Sequence, residues 1–286
     1  MTGPAVDVIV PVHNGEQHLA EFLAQLLTEI EASAVLVVDD GSTDGTRQIA
    51  ERHGVRVLSQ PTPAGPYAAR NAGWRSSTAD LIVFTDVRCR PEQGWLASLL
   101  VAVNAPGVAI AGCDVQMTAT RPTAAERWAI RRQPLRIDGY LTHAFLPYVP
   151  TACLAITRAN LERLDGFLPL RSGADADFCW RAQQADLGRV VAAEIGMWAR
   201  PRTANRDVIG QYRRYGSSAW QLQHAYGYRG TPPKAPSRRG TAARMVQAGW
   251  QFRRDPAVAR LDMHRILACE QQFRAEASKH SEGATP

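Results

Sequence analysis

A chain of 286 residues that is 45% hydrophobic is long enough to bury one large α/β core with appendages, or two small cores. Its net charge of +6 comes from arginine gathered at 121–136, 200–214 and 229–260. That suggests phosphate-bearing partners, while the lack of zinc spacing, an RNP-like strand or a basic heptad arm argues against nucleic acid. Cys89, Cys113, Cys153, Cys179 and Cys269 show no paired short spacing, which excludes a zinc knuckle or a disulfide framework and fits a reducing cytoplasm. No apolar stretch reaches the roughly 18 residues of a membrane span, so the chain reads as soluble or peripheral.

In chain order, Val6–Pro11 and Ala34–Asp40 are β-branched runs flanking an amphipathic Gln17–Glu31, which is a βαβ unit. Gly41 to Thr46 offers a turn and a cap ahead of a helix at Thr46–His53, and Val55–Gln60 reads as a third strand. Pro66–Ser77 reads as a helix, Leu81–Thr85 as a fourth strand and Glu92–Asn104 as a helix started by Pro91. Val108–Met117 and Cys153–Thr157 are further apolar segments, and the basic, aromatic stretch 121–150 between them is left unassigned. Beyond Arg202 the alternation stops: helices are expected from Asp207 to about Tyr226 and from Thr241 to about Ser278, joined by a mobile Pro-rich link at 230–237.

Open parallel sheets bind ligands outside the carboxyl ends of their strands. Here those ends carry Pro11–Asn14, Asp39-Asp40 and Asp86, a pattern that favours a nucleotide site. No GxGxxG follows the first strand and no GxxxxGK[ST] occurs, against a dinucleotide fold and a P-loop. Taken singly, Asp39-Asp40-Gly41 also reads as a plain turn, and Asp86 as a helix cap.

The string VIVPVHNG…VLVVDDGSTDGT…AARNAGW…FTDVRCRP…GADADFCW resembles the inverting nucleotide-sugar glycosyltransferases of family two, over about residues 5–220. The resemblance implies a GT-A fold: an α/β, Rossmann-like, mostly parallel sheet flanked by helices. It implies a GT-A domain at 1–205, with a nucleotide-binding half at 1–110 and an acceptor half at 111–205, followed by a helical C-terminal extension at 206–286. It also implies a nucleoside diphosphate-sugar donor, with Pro11 and Asn14 lining the base pocket, Asp40 bonding the base and Asp86 reaching ribose or diphosphate. Arg70 and Asn71 would lie near the donor as well.

Members of that family usually carry Asp-x-Asp where this chain has Asp86-Val87-Arg88, and the second acid ligates Mg²⁺ or Mn²⁺. A guanidinium cannot ligate a metal, but it binds phosphate oxygens through paired donors. Arg88, with Arg90 as a helper, is therefore expected to do the metal's work. The alternative is a solvated Arg88 with the metal held through Asp86 and water, so the cofactor is either none or Mg/Mn.

The family's base is the Asp of a Glu-Asp pair opening a helix; here Ala174 replaces the Glu and Asp175 is the candidate base. Asp177 caps that helix or pairs with Arg181, or else meets acceptor or diphosphate. Trp198 to Arg202 lacks the His that relatives use for metal, and Arg202 joins Gln211 and Arg214 of the QYRRYG stretch as candidates for diphosphate or acceptor. Trp95, Trp180, Trp220 and Trp250 are expected to be buried. Tyr140, Phe145 and Tyr148 could form an acceptor platform, and His143 and His224 receive no role.

The resulting reading is an inverting, hexosyltransferase-type enzyme acting on a small-molecule, peptide or lipid-linked acceptor, with uracil, thymine and guanine all open as the base. The alternative is a catalytically degenerate nucleotide-sugar-binding protein. No nucleic acid and no transmembrane segment are expected. The location is expected to be cytoplasmic or peripheral at the inner membrane face. The basic tail at 238–265 reads as a helix pair packing on the domain or forming a homodimer, with a phospholipid surface or lipid-linked acceptor as the alternative.

Overall fold

The structure, a computed structural model, describes residues 4–120, 122–228 and 237–282. Its backbone clusters into two compact units: Met1–Met117 with Leu135–Pro169 and Ala174–Arg200, and Thr118–Pro134 with Leu170–Gly173 and Pro201–Pro286.

Ten strands lie in the first unit: β1 (Val6–Val12), β2 (Val35–Asp40), β3 (Arg56–Gln60), β4 (Leu81–Thr85), β5 (Cys89–Pro91), β6 (Val108–Gly112), β7 (Val115–Met117), β8 (Cys153–Thr157), β9 (Arg189–Ala192) and β10 (Met197–Ala199). Its helices are α1 (Glu16–Leu26), α2 (Thr46–Arg52), α3 (Pro66–Ser76), α4 (Trp95–Val103), α6 (Asp138–Leu141), α7 (Arg158–Leu164) and α8 (Ala174–Gln184); α5 (Ala124–Arg132), α9 (Asn205–Tyr226), α10 (Arg238–Gln251) and α11 (Pro256–Glu282) make up the second unit.

Seven strands form one sheet in the order β3-β2-β1-β4-β8-β6-β9. β8 runs antiparallel to both its neighbours, and the remaining pairs are parallel. The Val-rich, almost wholly buried runs of β1 and β2 suit strands covered on both faces. On one face α1 lays down Leu19, Phe22, Leu23 and Leu26, all fully buried in the same core as Val8, Val10 and Val37. Each such side chain contributes about 1.5–3 kcal/mol of burial. On the other face α3 approaches β1 and β2 so closely that a Cβ on Gly73 would stand 2.6 Å from Ile9 Cγ2 and 2.9 Å from Val38 Cγ2. This packing sets the carboxyl ends of β1, β2 and β4 beside the start of α3.

A second sheet of three short strands, β5-β10-β7, was not legible in the sequence. It takes up the loop after β4: Arg90 registers with Trp198, and the Arg200 N–H donates to the Arg88 carbonyl at 3.0 Å. Pro91 therefore ends a strand, and α4 starts at Trp95 after Gly94, whose φ is 81°. The apolar segment 108–117 breaks after Gly112 into β6 and β7, which belong to different sheets. Asp114 at the break accepts the Ile137 N–H at 3.0 Å.

In the second unit the stretch left unassigned contributes α5, opened by a capping box of Thr123 and Glu126. The long helix expected from Thr241 divides into α10 and α11, because Asp255 accepts the Val258 N–H at 3.3 Å and Pro256 takes the first helical position. α9 and α11 touch at Gly216, where a Cβ would overlap the Cys269 carbonyl. Fully buried Asp262 accepts from Trp128 Nε1 at 2.6 Å, from Arg265 at 2.6 Å and from Arg132, tying α5 to α11. Of the Pro-rich link, residues 230–236 lie outside the described residues, and Ser237 caps α10 through the Gly240 N–H at 3.0 Å. Trp95, Trp180 and Trp220 are buried as expected; Trp250 is not, with 69% of its surface exposed.

Candidate active site

The turns after β1 and β2 are joined to each other. Asn14, at φ 51°, donates its backbone N–H to Ser42 Oγ at 2.9 Å, and its side-chain oxygen accepts the Thr43 N–H at 2.9 Å. The Gly15 N–H reaches Thr46 Oγ1 at 2.8 Å. Asn is among the few side chains that tolerate this left-handed conformation. Pro11 lies buried in β1 opposite Val38. Asp40, also buried, accepts the Ala64 N–H at 2.7 Å and the Gly65 N–H at 2.9 Å. It thereby orders the approach to α3 while keeping acceptor capacity to spare.

α3 opens with Pro66 after Gly65 at φ 97°, and one helical face carries Tyr67, Arg70 and Trp74, all buried. Arg70 is only 2% exposed and donates to Asp86 Oδ1 at 2.5 Å, to the Pro66 carbonyl at 3.3 Å and to the Thr151 carbonyl at 3.4 Å. The Asp86 side chain, at the end of β4, stays 45% exposed. Asp175, in the first turn of α8, accepts the Ala176 N–H at 3.0 Å. Burial pushes its carboxyl above the ordinary Asp range; the Ala176 N–H, the Arg70 charge and the Tyr67 hydroxyl oppose that rise. Tyr67, Arg70, Asp86 and Asp175 thus form one cluster. Tyr67 was missed in the sequence, although its spacing from Arg70 on one helix face is a signal that could have found it.

Arg88 is half-buried, and its charge acts on His18, whose imidazole is held down at about 4 by burial first and then by Arg88, Arg90 and Arg200. Arg90 cannot be a phosphate ligand as expected. It is fully buried and donates to the carbonyls of Val87 at 3.0 Å, Cys89 at 2.8 Å and His18 at 3.2 Å, and to Glu21 at 2.9 Å. Arg200 takes the other Glu21 oxygen at 2.6 Å. Hydrogen bonds from Arg200 and Arg90 hold the Glu21 carboxyl at about 2. Two arginines, Arg90 and Arg200, thus share one carboxylate, and Arg88 adds a further positive charge at His18.

Two further site candidates are engaged within the fold. The Asn71 amide serves the turn before α8, donating to the Phe167 carbonyl at 2.7 Å and accepting the Phe167 N–H at 2.9 Å and Trp74 Nε1 at 3.1 Å. Asp177 is 3% exposed and pairs with Arg181 at 2.8 Å, one helical turn on, which is the ion pair expected from the sequence; it is turned into the fold rather than toward an acceptor. The aromatic platform is likewise folded onto itself: Phe145 lies 5.0 Å from Trp180 and Tyr140 lies 5.0 Å from Tyr148, while His143 stacks on Trp180 at 5.2 Å.

In the second unit, Arg202 donates to Gln211 at 3.2 Å and Gln211 to the Tyr215 hydroxyl at 2.6 Å. Burial, then Arg202, with Arg171 adding, lower the proton affinity of Arg214. These residues form a cationic cluster of their own.

Mg²⁺ and Mn²⁺ favour about six oxygen ligands. Among the described residues no group of three His, Cys, Asp or Glu could hold a metal, and Asp86 is already paired with Arg70. The donor set does not fit a protein-held ion.

Residues 7–160 match the profile described as glycosyl transferase family 2. The chain belongs to glycosyl transferase family 2. Among curated relatives, it is 32% identical over 233 residues to the pre-mycofactocin glycosyltransferase of Mycobacterium tuberculosis, covering 77% of this chain and 48% of that one. It is 35% identical over 136 residues to the glycosyltransferase AglE of Haloferax volcanii, covering 44% and 45%. The chain spans about half the length of these curated relatives. Among solved structures, the mannosyltransferase PcManGT of Pyrobaculum calidifontis, in complex with GDP-Man and Mn²⁺, aligns with a TM-score of 0.58 at 22% identity, covering 100% of this chain and 77% of that one. Glucosyl-3-phosphoglycerate synthase of Mycobacterium tuberculosis, with Mn²⁺, UDP-glucose and phosphoglyceric acid, aligns at 0.59 and 17%, covering 82% of each. These likenesses establish the family 2 member's mixed α/β, GT-A fold. Among its described residues no helix is long and apolar enough to cross a membrane.

Proposed function

We propose that the chain transfers a sugar, with inversion, from a nucleoside diphosphate-sugar to a hydroxyl or amine acceptor. The observation that carries this reading is the meeting of Asp86, Arg70 and Asp175, which come from three separate sequence motifs, around one buried guanidinium. An inverting transfer is a single displacement at the anomeric carbon. The acceptor oxygen or nitrogen attacks, the bond to the diphosphate breaks, and the acceptor proton passes to Asp175. A carboxyl raised by burial suits that role, because its proton affinity is brought toward the operating pH.

The nucleotide lies across residues 1–110. Pro11 and Asn14 line the base, Asp40 holds the base edge with its free acceptor positions, and Asp86 holds ribose or diphosphate. The departing diphosphate acquires negative charge that must be stabilised. Arg88 supplies that stabilisation in place of a metal, backed by a patch in which Arg90 and Arg200 share a single carboxylate. The solved relatives in complex with GDP-Man or UDP-glucose support the donor class.

The Asp86-Val87-Arg88 sequence and the Ala174 substitution favour one competing reading, a protein that binds the donor and does not turn it over. Thermal midpoints measured against a panel of nucleotide-sugars, with and without Mn²⁺, identify the donor, since a bound ligand raises stability by mass action. Slow release of nucleoside diphosphate from that donor is expected of the enzyme. Binding without release is expected of the degenerate form.

A further inference from the structure

α10 presents an apolar face to solvent. Val246 and Trp250, one helical turn apart, are 73% and 69% exposed. At about 100° per residue, Arg239, Ala242, Ala243, Val246 and Trp250 share one arc, and all are exposed. Buried Ala248 and Phe252 fall on the opposite side, where the helix and the turn after it face the rest of the second unit. The outward face is therefore not a core face that failed to pack: the helix already has an inner face.

The charge of the same segment is one-sided. Residues 238–254 contain five arginines, Arg238, Arg239, Arg244, Arg253 and Arg254, with no lysine and no acid. Arg244 is paired with Glu270 on α11. The other four are exposed and have no ion pair among the described residues. Arg253 lies over the Trp250 ring at 4.8 Å and donates to the Trp250 carbonyl at 3.3 Å, so the aromatic group and a cation occupy the same end of the face.

We propose that α10 is a docking surface for anionic phospholipid, lying in the plane of the headgroups with Val246 and Trp250 in the acyl boundary. Exposed Val and Trp side chains beside unpaired arginines are the groups that favour a bilayer interface, the apolar parts at the acyl boundary and the guanidinium heads among the headgroups. The one-sided charge selects this occupant over a second copy of the chain. Two such helices face to face would bring eight unpaired guanidinium groups together without a carboxylate from either segment, whereas an anionic leaflet attracts each of them. Four unpaired arginines near such a surface strengthen binding on the order of a thousandfold at low salt. This assignment is independent of the donor site.

The test is co-sedimentation of the full chain with vesicles of phosphatidylcholine alone and of phosphatidylcholine mixed with phosphatidylglycerol, at low and high salt. Binding to the mixed vesicles that falls with salt, with little on phosphatidylcholine, is expected. The exposed double variant Val246→Ser/Trp250→Ser should lose at least tenfold of that binding, and Arg239→Gln/Arg253→Gln a similar amount. Circular dichroism should show both folded as the parent. Equal binding to the two vesicle types, no binding to either, or unchanged binding by the variants would overturn the proposal. A parent dimer in solution that Val246→Ser/Trp250→Ser converts to monomer, with no effect on lipid binding, would assign the face to a subunit interface instead.

Discussion

Arg70 donates to Asp86 at 2.5 Å from a position almost wholly inside the protein, while Asp86 keeps nearly half its side chain in solvent. The same guanidinium acts on Asp175, so one cation is shared between a carboxylate proposed to hold donor and one proposed to take a proton. Arg70→Met leaves two acids without their common counter-charge. Asp86 can rehydrate, which limits the stability loss to about 1–3 kcal/mol, but turnover should fall far more than donor binding. Denaturant unfolding and calorimetric titration of the same variant separate the two effects.

The Tyr67 hydroxyl favours the ionised form of Asp175, against the burial that raises its carboxyl. A base must be ionised to act, so kcat/KM should decline as pH falls through the Asp175 value. Tyr67→Phe removes a bond to the carboxylate, raises that value further and should move the acid limb of the kcat/KM profile to higher pH, leaving the plateau near that of the parent. An unmoved limb would separate Tyr67 from the base.

His18 titrates at about 4 in the folded chain against an ordinary 6.5. Between those values the unfolded chain holds the proton and the folded chain does not. Stability from this residue is therefore complete above pH 6.5 and is lost as pH falls toward 4. Glu21 follows the depressed-carboxylate pattern, with its contribution present above 4.5 and lost as pH falls toward 2. Denaturation midpoints at pH 7 and pH 4.5 should converge between parent and His18→Gln as acid is added, because the variant lacks the His18 penalty.

The Arg88 position bears on metal dependence. Chelation with EDTA is expected to leave donor binding and turnover within about twofold of untreated protein, while Arg88→Ala should lower turnover about 10²-fold or more, the scale of removing one donor from a developing anion. Arg88→Asp, which restores the second acid, should gain a response to Mn²⁺ that the parent lacks. Collapse of the parent's activity on chelation would return the metal to the site.

The parallel half of the sheet was legible because β1, β2 and β4 are short, mostly apolar runs rich in β-branched residues that end next to polar groups, and Asp86 and Asp175 stood out as acids at a strand end and a helix start. Arg90 was harder to read. Arg88 and Arg90, two residues apart, look alike in sequence, and only the pairing of β5 with β10 buries Arg90 and leaves Arg88 half-buried. Asn71 was misjudged for a similar reason: its partner, Phe167, lies 96 residues on, so motif spacing gives no hint of the contact. Trp250 broke the rule that aromatic residues among apolar neighbours are buried, since the local pattern does not say which helix face the rest of the unit covers. The Asp255-Pro256 stop was visible and passed over, as the helical pattern on both sides is strong.

The role of Asp175 is tested most directly by one comparison: release of nucleoside diphosphate by the parent and by Asp175→Asn from the same donor, with the donor's Kd measured for both. Removing a partly buried carboxylate whose charge burial disfavours should leave the fold at least as stable at neutral pH. The expected result is a Kd unchanged within about twofold with turnover reduced by about 10³ or more, the order of removing a general base together with its orientation of the acceptor. Turnover retained by Asp175→Asn within tenfold of the parent would contradict the assignment of Asp175 as base.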